Sequence, residues 1–182
     1  MSDSNFGVPP VVPARPKHLP SLQALIFEHG ANVWNYLPEE GIGAHLDDIA
    51  QGRAYGVLAM DSDTLIGAVT FGLSSDFERY LPLQARGTLQ GYVSEAVVRR
   101  DRVGQGLGTH LLRQALVALA SMGVAAVFID RHEENLASAG MMRRAGFVEI
   151  DTYADPRRRP HGSGRTTVCC FSVADESGPP GP

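Results

Sequence analysis

A carboxylate stands in the middle of an otherwise apolar run, Tyr92-Val93-Ser94-Glu95-Ala96-Val97-Val98. The run is rich in β-branched and aromatic residues on both alternating faces, the pattern of a central strand covered from two sides. An acid buried there loses hydration in its charged form, so its pKa rises and it becomes a proton acceptor suited to neutral pH. The structural alternative is a carboxylate held by an arginine, Arg86 or Arg99. Shortly after this run comes Val103-Gly104-Gln105-Gly106-Leu107-Gly108-Thr109. Glycine permits positive φ and close approach of a ligand, and successive N–H groups at the start of a helix cradle an anion. The chemistry on offer is a proton acceptor next to a seat for a phosphate-bearing group.

The elements that must position these residues follow from periodicity. Leu107, Leu111, Ala115, Leu119 and Met122 recur at helical spacing, which predicts a helix over Thr109–Met122 behind the strand Tyr92–Val98. Upstream, Val8–Ala14 is apolar but broken by Pro9, Pro10 and Pro13, which suits an edge strand. A first helix is expected over Leu19–Glu28, with Leu22, Leu25 and Ile26 on one face. A second opens at Pro38-Glu39-Glu40, carries Ile42, Leu46 and Ile49 inward, and stops at Gly52. Ala54–Met60 and Leu65–Leu73 read as a hairpin, and Ser74–Thr88 as a long loop or irregular helix. Downstream, Val124–Asp130 is strand-like, Asn135–Ala145 helical up to Gly146, and Phe147–Tyr153 and Thr166–Val173 strand-like around a basic loop, Asp155–Arg165. The order β-α-α-β-β-β-α-β-α-β-β predicts an α+β fold, a mostly antiparallel sheet with one βαβ crossover. One domain is expected over 8–173, with a loose tail at 1–7 and a disordered Pro/Gly-rich tail at 174–182.

Composition narrows the classes. The chain has 182 residues, 43% of them hydrophobic, and no long apolar run, so it is sized for one soluble domain without a membrane segment. Its first residues, MSDSNFGVPP, show no secretory leader, and a cytoplasmic location is the expectation. The net charge of −4 is interspersed, which argues against a nucleic-acid partner. The six histidines are scattered and no HExxH or CxxC spacing occurs, so no metal is expected. Cys169 and Cys170 are adjacent, point to opposite faces of a strand and are read as buried reduced thiols.

Spacing separates the phosphate-binding possibilities. In a dinucleotide fingerprint a third glycine would stand where Thr109 is, and a P-loop needs a Gly-Lys pair that this chain lacks. The segment Val103–Gly108 is instead similar to the acyl-CoA motif of the GNAT N-acyltransferase superfamily, [Arg/Gln]-x-x-Gly-x-[Gly/Ala], with Gly106 and Gly108 at the small positions and Val103 at the Arg/Gln position. A second motif of that family, Asn-x-x-[Ala/Ser] closing on Gly-Phe, is matched by Asn135, Ser138, Gly146 and Phe147. The resemblance implies a GNAT-like sheet flanked by helices, with acetyl-CoA as acyl donor. It implies that the pantetheine arm runs along Ala96, Val97 and Val98 and meets Asn135 and Ser138, while the amides of Val103, Gly104, Gln105, Gly106, Leu107, Gly108 and Thr109 hold the diphosphate. Arg99, Arg100 and Arg102 either add charge there or are solvated turn residues.

Acyl transfer from a thioester to an amine needs a proton acceptor, for which Glu95 is the candidate, and a donor to the thioester carbonyl, for which the N–H of Val97 or Val98 serves. Many family members place a tyrosine where this chain has Met142, so no general acid is assigned. The acceptor is expected to be a primary amine of a small molecule or peptide. The family's pocket segments contain Trp34, Tyr36, Glu39, Glu40, Phe77, Tyr80 and Arg157–His161, whose acidic and basic members favour opposite acceptors. Trp34 and Tyr36 either line that pocket or pack beneath their loop. A homodimer is compatible with the sequence. The alternative function is a non-catalytic acyl-CoA-binding or regulatory domain.

Overall fold

The computed structural model describes residues 9–35 and 37–173; both expected tails and Tyr36 lie outside the described residues. One sheet runs in the spatial order β1 (Val11–Pro13), β2 (Ala54–Asp61), β3 (Thr64–Ser74), β4 (Gln90–Val98), β5 (Ala126–His132), β7 (Arg165–Ser172), β6 (Val148–Ala154). Every neighbouring pair is antiparallel except β4 and β5. That parallel pair requires a crossover, supplied by α3 (Leu107–Ser121). The other helices are α1 (Leu19–Leu25), which continues into a π turn at Ile26–Gly30, α2 (Glu39–Ala50) and α4 (Leu136–Ala145). This is the expected α+β order.

Two boundaries moved for physical reasons. The strand expected at Val124–Asp130 is β5, which runs on through Arg131 and His132. Both are polar yet buried: the Arg131 Nη atoms and the His132 ring bond inside the protein, while Arg131 Nε has no hydrogen-bond partner among the described residues, and an apolar-run criterion stops short of both. The helix expected from Thr109 begins at Leu107, with Gly106 at φ +78° as its N-cap. The segment after β3 is neither a free loop nor a helix of any length. It forms two single 3₁₀ turns, Glu78–Tyr80 and Leu83–Ala85, that lie over β5 and β7 through Leu81, Phe128 and Val168.

The sheet is covered on both faces. Leu111, Leu112, Ala115 and Leu119 of α3, with Met142 and Ala145 of α4, pack on Val69, Phe71, Val93, Val127 and Ile129. Full burial of a leucine is worth roughly 1.5–3 kcal/mol, so this stripe fixes α3, and with it the turn that precedes it. On the other face Leu22, Leu25 and Ile26 join Ile42, Leu46 and Ile49 of α2 over Leu58, Ala68 and Val97.

The features that create a site lie in β4. Thr70 pairs with Glu95 but Phe71 pairs with Val93, so Ser94 is an extra residue, a β-bulge. Val93 packs on the α3 face and Val97 on the α1/α2 face, although residues four apart in a regular strand share a face. The bulge therefore switches the phase of the strand and turns Glu95, two residues from Val97, toward the α1/α2 side. β4 and β5 are paired only over Gln90–Val93 and Ala126–Ile129. Beyond that, β4 stays with β3 and β5 stays with β7, and a gap opens between the central strands.

Candidate active site

The gap forms part of a cavity of about 330 Å3 whose walls include Glu95, Ala96, Val97, Val98, Asn135 and Ser138. Six of the sequence-derived site residues are thus brought together. The Glu95 carboxyl is pushed up to about 7, first by burial and then by the negative charge of Asp130, against the opposing pull of Arg159 and Arg158. No hydrogen bond contributes to that shift. Neither arginine offered as its structural partner reaches it: Arg86 is exposed, and Arg99 makes a two-pronged bond to Asp101 at 3.0 and 2.8 Å.

Asp130, at the point where β5 leaves β4, organises the wall facing Glu95. Its side chain is 7% exposed and accepts bonds from Arg158 Nη2 at 3.0 Å, Arg159 Nη2 at 2.7 Å and the Tyr92 hydroxyl at 3.2 Å. Arg159, equally buried, also donates Nε–H to Thr166 Oγ1 at 3.0 Å, and Thr166 donates to Asp155 at 2.9 Å. A buried aspartate is tolerated because two guanidinium groups and a phenol share its charge. Tyr92 is raised above the ordinary tyrosine range by burial and by Asp130, and its proton is committed to Asp130. It is the only tyrosine among the described lining residues, so no general acid emerges; Met142, where the family's tyrosine is usual, lines the wall as well.

Sequence reasoning singled out neither Asp130 nor Thr166, and placed the basic loop without its partner. Their signal was an acid at the end of an apolar run and a run of three arginines, which become a network only when β5 and the β6–β7 loop meet.

A second buried contact ties that loop down. His132 Nε2–H donates to the His161 carbonyl at 2.8 Å, and Nδ1 accepts from the Glu134 N–H at 3.0 Å, which fixes the Nε2–H tautomer. The Trp34 ring lies 4.6 Å from the His132 ring, so Trp34 both lines the cavity and packs. The other pocket candidates fall elsewhere. Glu39 and Glu40 are exposed on the first turn of α2, outside the cavity. Phe77 stacks on Phe128 at 4.7 Å, and Tyr80 donates to Asp151 at 2.6 Å, so both are parts of the cover over β5 and β7. They were misplaced because aromatics in a long loop look the same whether they cap a core or line a pocket.

The turn Val103–Thr109 does not line this cavity but adjoins it. A Cβ built on Gly108 would lie 2.5 Å from Met141 Sδ and 3.5 Å from Val98, so a side chain there would displace the Met141 side chain where α3 meets α4. Gly104 and Gly106, at φ +85° and +78°, face open space. The first helical bond of α3 runs from His110 N–H to Gly106 O at 3.0 Å, which leaves the N–H groups of Leu107, Gly108 and Thr109 ahead of it. Thr109 Oγ1 is buried there without a hydrogen-bond partner among the described residues. The neighbouring cations are engaged: Arg99 with Asp101, Arg102 with Asp61, and Arg100 with the Ala31 carbonyl. Asn135 caps α4, its Oδ1 accepting the Ser138 N–H at 3.1 Å.

Backbone direction along the gap follows from one bond. Arg99 N–H donates to Ile66 O, so by two-residue alternation the N–H groups of Val97 and Glu95 face β3, while those of Ala96 and Val98 face the gap. Among the described residues no cluster of three His, Cys, Asp or Glu has metal-site geometry, and no helix is long and apolar enough to cross a membrane.

The sheet is split at its one parallel pair, with the buried Glu95 carboxyl in the split and the glycine turn adjoining it. A model of the acetyltransferase (GNAT) family matches residues 24–147, and the chain belongs to that family. Over 99 residues, 54% of this chain and 61% of the relative, it is 26% identical to N-alpha-acetyltransferase 30 of Schizosaccharomyces pombe. The match thus spans less than two thirds of that relative. The fold is shared with ribosomal-protein-alanine N-acetyltransferase from Brucella melitensis (TM-score 0.69, 18% identity, covering 90% of this chain and 99% of that one). It is shared too with Arabidopsis thaliana Naa50 in complex with the bisubstrate analogue CoA-Ac-MVNAL (TM-score 0.69, 16% identity, 92% and 100% covered).

Proposed function

We propose that this protein is an N-acetyltransferase that uses acetyl-CoA to acetylate a primary amine, with Glu95 as general base. The observation that carries the reading is Glu95 itself, a carboxyl raised to about 7, lining the gap between β4 and β5. A carboxylate with an ordinary pKa near 4.3 is too weak a base for an ammonium group, and one near 7 is matched to the task.

The chain fits the donor in two respects. The open glycine turn and the N–H groups of Leu107, Gly108 and Thr109 suit a diphosphate, and the buried, unpartnered Thr109 Oγ1 has hydrogen-bonding capacity to spare. Bound acetyl-CoA supplies an activated thioester, whose carbonyl carbon the amine attacks with departure of the thiolate. Ala96 and Val98 present N–H groups along the gap, and Val98 is the residue we assign to polarising the thioester carbonyl. Asn135 and Ser138 line the same cavity, and the Asn135 amide nitrogen has no hydrogen-bond partner among the described residues. Glu95 takes the proton from the amine, directly or through a water.

An α-amino group is the favoured acceptor, because its pKa of about 7.7–8.0 leaves a useful neutral fraction at physiological pH, whereas a lysine side chain at about 10.4 does not. The similarity to an N-alpha-acetyltransferase supports the same choice. The test is thiol release from acetyl-CoA against a panel of short peptides and small amines, with mass detection of the acetylated product. Release with at least one α-amine is expected; tight acetyl-CoA binding without turnover on any acceptor favours the non-catalytic alternative.

A further inference from the structure

Once the internal pairs are removed, the acceptor end of the cavity keeps one cation, Arg157, without an ion-pair partner among the described residues. Asp130 is shared between Arg158 and Arg159, and Asp155 accepts from Thr166 and lies 3.6 Å from Arg158. Those two acids account for two of the three consecutive arginines. Arg157 lines the same cavity, is exposed, and among the described residues has no ion pair or side-chain hydrogen bond. Arg158 is half exposed, spending Nη1 and Nη2 on Asp130 and leaving Nε–H uncommitted. Glu39 and Glu40, the acids that favour a purely cationic acceptor, stand outside the cavity. Among the described lining residues Glu95 is the one acid without an ion-pair partner, and in the proposed reading it receives the proton.

We infer that the acceptor is an amine that carries a carboxylate beside it, with the amine at Glu95 and the carboxylate at Arg157 and the outer edge of Arg158. A guanidinium fork matches a carboxylate in geometry and charge, and an acceptor with only positive charge meets repulsion at Arg157. The inference rests on the proposed acetyltransferase reading, and it selects within it. The carboxylate has two sources, an acidic side chain following the amine-bearing residue or a free C-terminus close to it.

Four dipeptides sharing an N-terminal alanine separate these sources: alanyl-aspartate amide against alanyl-asparagine amide, and alanyl-alanine against alanyl-alanine amide. Each is titrated into the 182-residue protein without acyl donor, followed by NMR shifts, and then assayed for thiol release with acetyl-CoA. At low salt the acid of at least one pair binds about two- to fivefold tighter than its amide, the range of a partly exposed ion pair, and the advantage shrinks as salt is raised. The pair that shows it identifies the source. Arg157→Gln abolishes the preference, while Arg86→Gln, an exposed arginine outside the cavity, leaves it intact. Equal or weaker binding of both acids, no binding of any of the four, or a preference that survives Arg157→Gln overturns the inference. An acid preference in binding without thiol release from any peptide sinks the transferase reading and leaves the anion seat standing. Turnover confined to the amides does the reverse.

Discussion

At one end of the gap between β4 and β5 the protein uses side chains, Glu95 facing Asp130, Arg158 and Arg159; at the other it uses backbone, the N–H groups that open α3 behind Gly106. The first end is a balance of charges in which each member sets the state of the others. The second depends on chain shape, and the side chain at Val103, exposed and apolar, does not enter it. Substitutions should therefore act differently at the two ends: through pKa and pH at the first, through conformation and without pH dependence at the second.

The largest effect is expected from breaking the charge balance. Asp130→Ala leaves Arg159, 7% exposed, without its counter-charge, and should destabilise the fold by about 3–5 kcal/mol in denaturant titrations. It also removes the charge that raises Glu95 while keeping the arginines that lower it, so any pH limb due to Glu95 should move to lower pH. A limb that stays in place would show that Asp130 is structural only.

Glu95→Gln tests the same end through stability. A carboxyl raised from 4.5 to about 7 contributes stability that is fully present below pH 4.5 and is lost as pH rises through 7. The variant removes this dependence, so it should be more stable than the parent at pH 8, by at most about 3 kcal/mol, and equal to it near pH 4. Equal stability at both pH values would mean that Glu95 is not desolvated. At the backbone end, Gly106→Ala forces an ordinary residue into φ +78°, at roughly 1–2 kcal/mol, though its Cβ meets nothing within 4 Å. Acetyl-CoA affinity should fall by up to about tenfold with no shift of the pH limb; a shifted limb would show that the two ends are coupled.

The same contrast explains what was legible in the sequence. The glycine turn and the helix after it, and the helix capped by Asn135, were legible as elements because each is local, and the element order follows from periodicity and turn residues. Glu95 was readable as an anomaly, a charge in an apolar run. Its surroundings were not, because the Asp130–Arg159 and Trp34–His132 contacts join distant segments that carry no shared pattern. The bulge at Ser94 also left no mark, since one extra residue in a strand apolar on both faces does not disturb an alternation. Phe77 and Tyr80 were assigned to the pocket and belong to the core cover for the same reason: contact, not residue type, decides.

The central claim is that Glu95 accepts the acceptor's proton, and the ratio of parent to Glu95→Gln kcat/KM as a function of pH tests it most directly, because the acceptor's own titration cancels in the ratio. The account predicts a ratio that rises about tenfold per pH unit below about pH 7 and levels off above it at about 10²–10⁴. A ratio that is flat across this range, or close to one at pH 8, would contradict it.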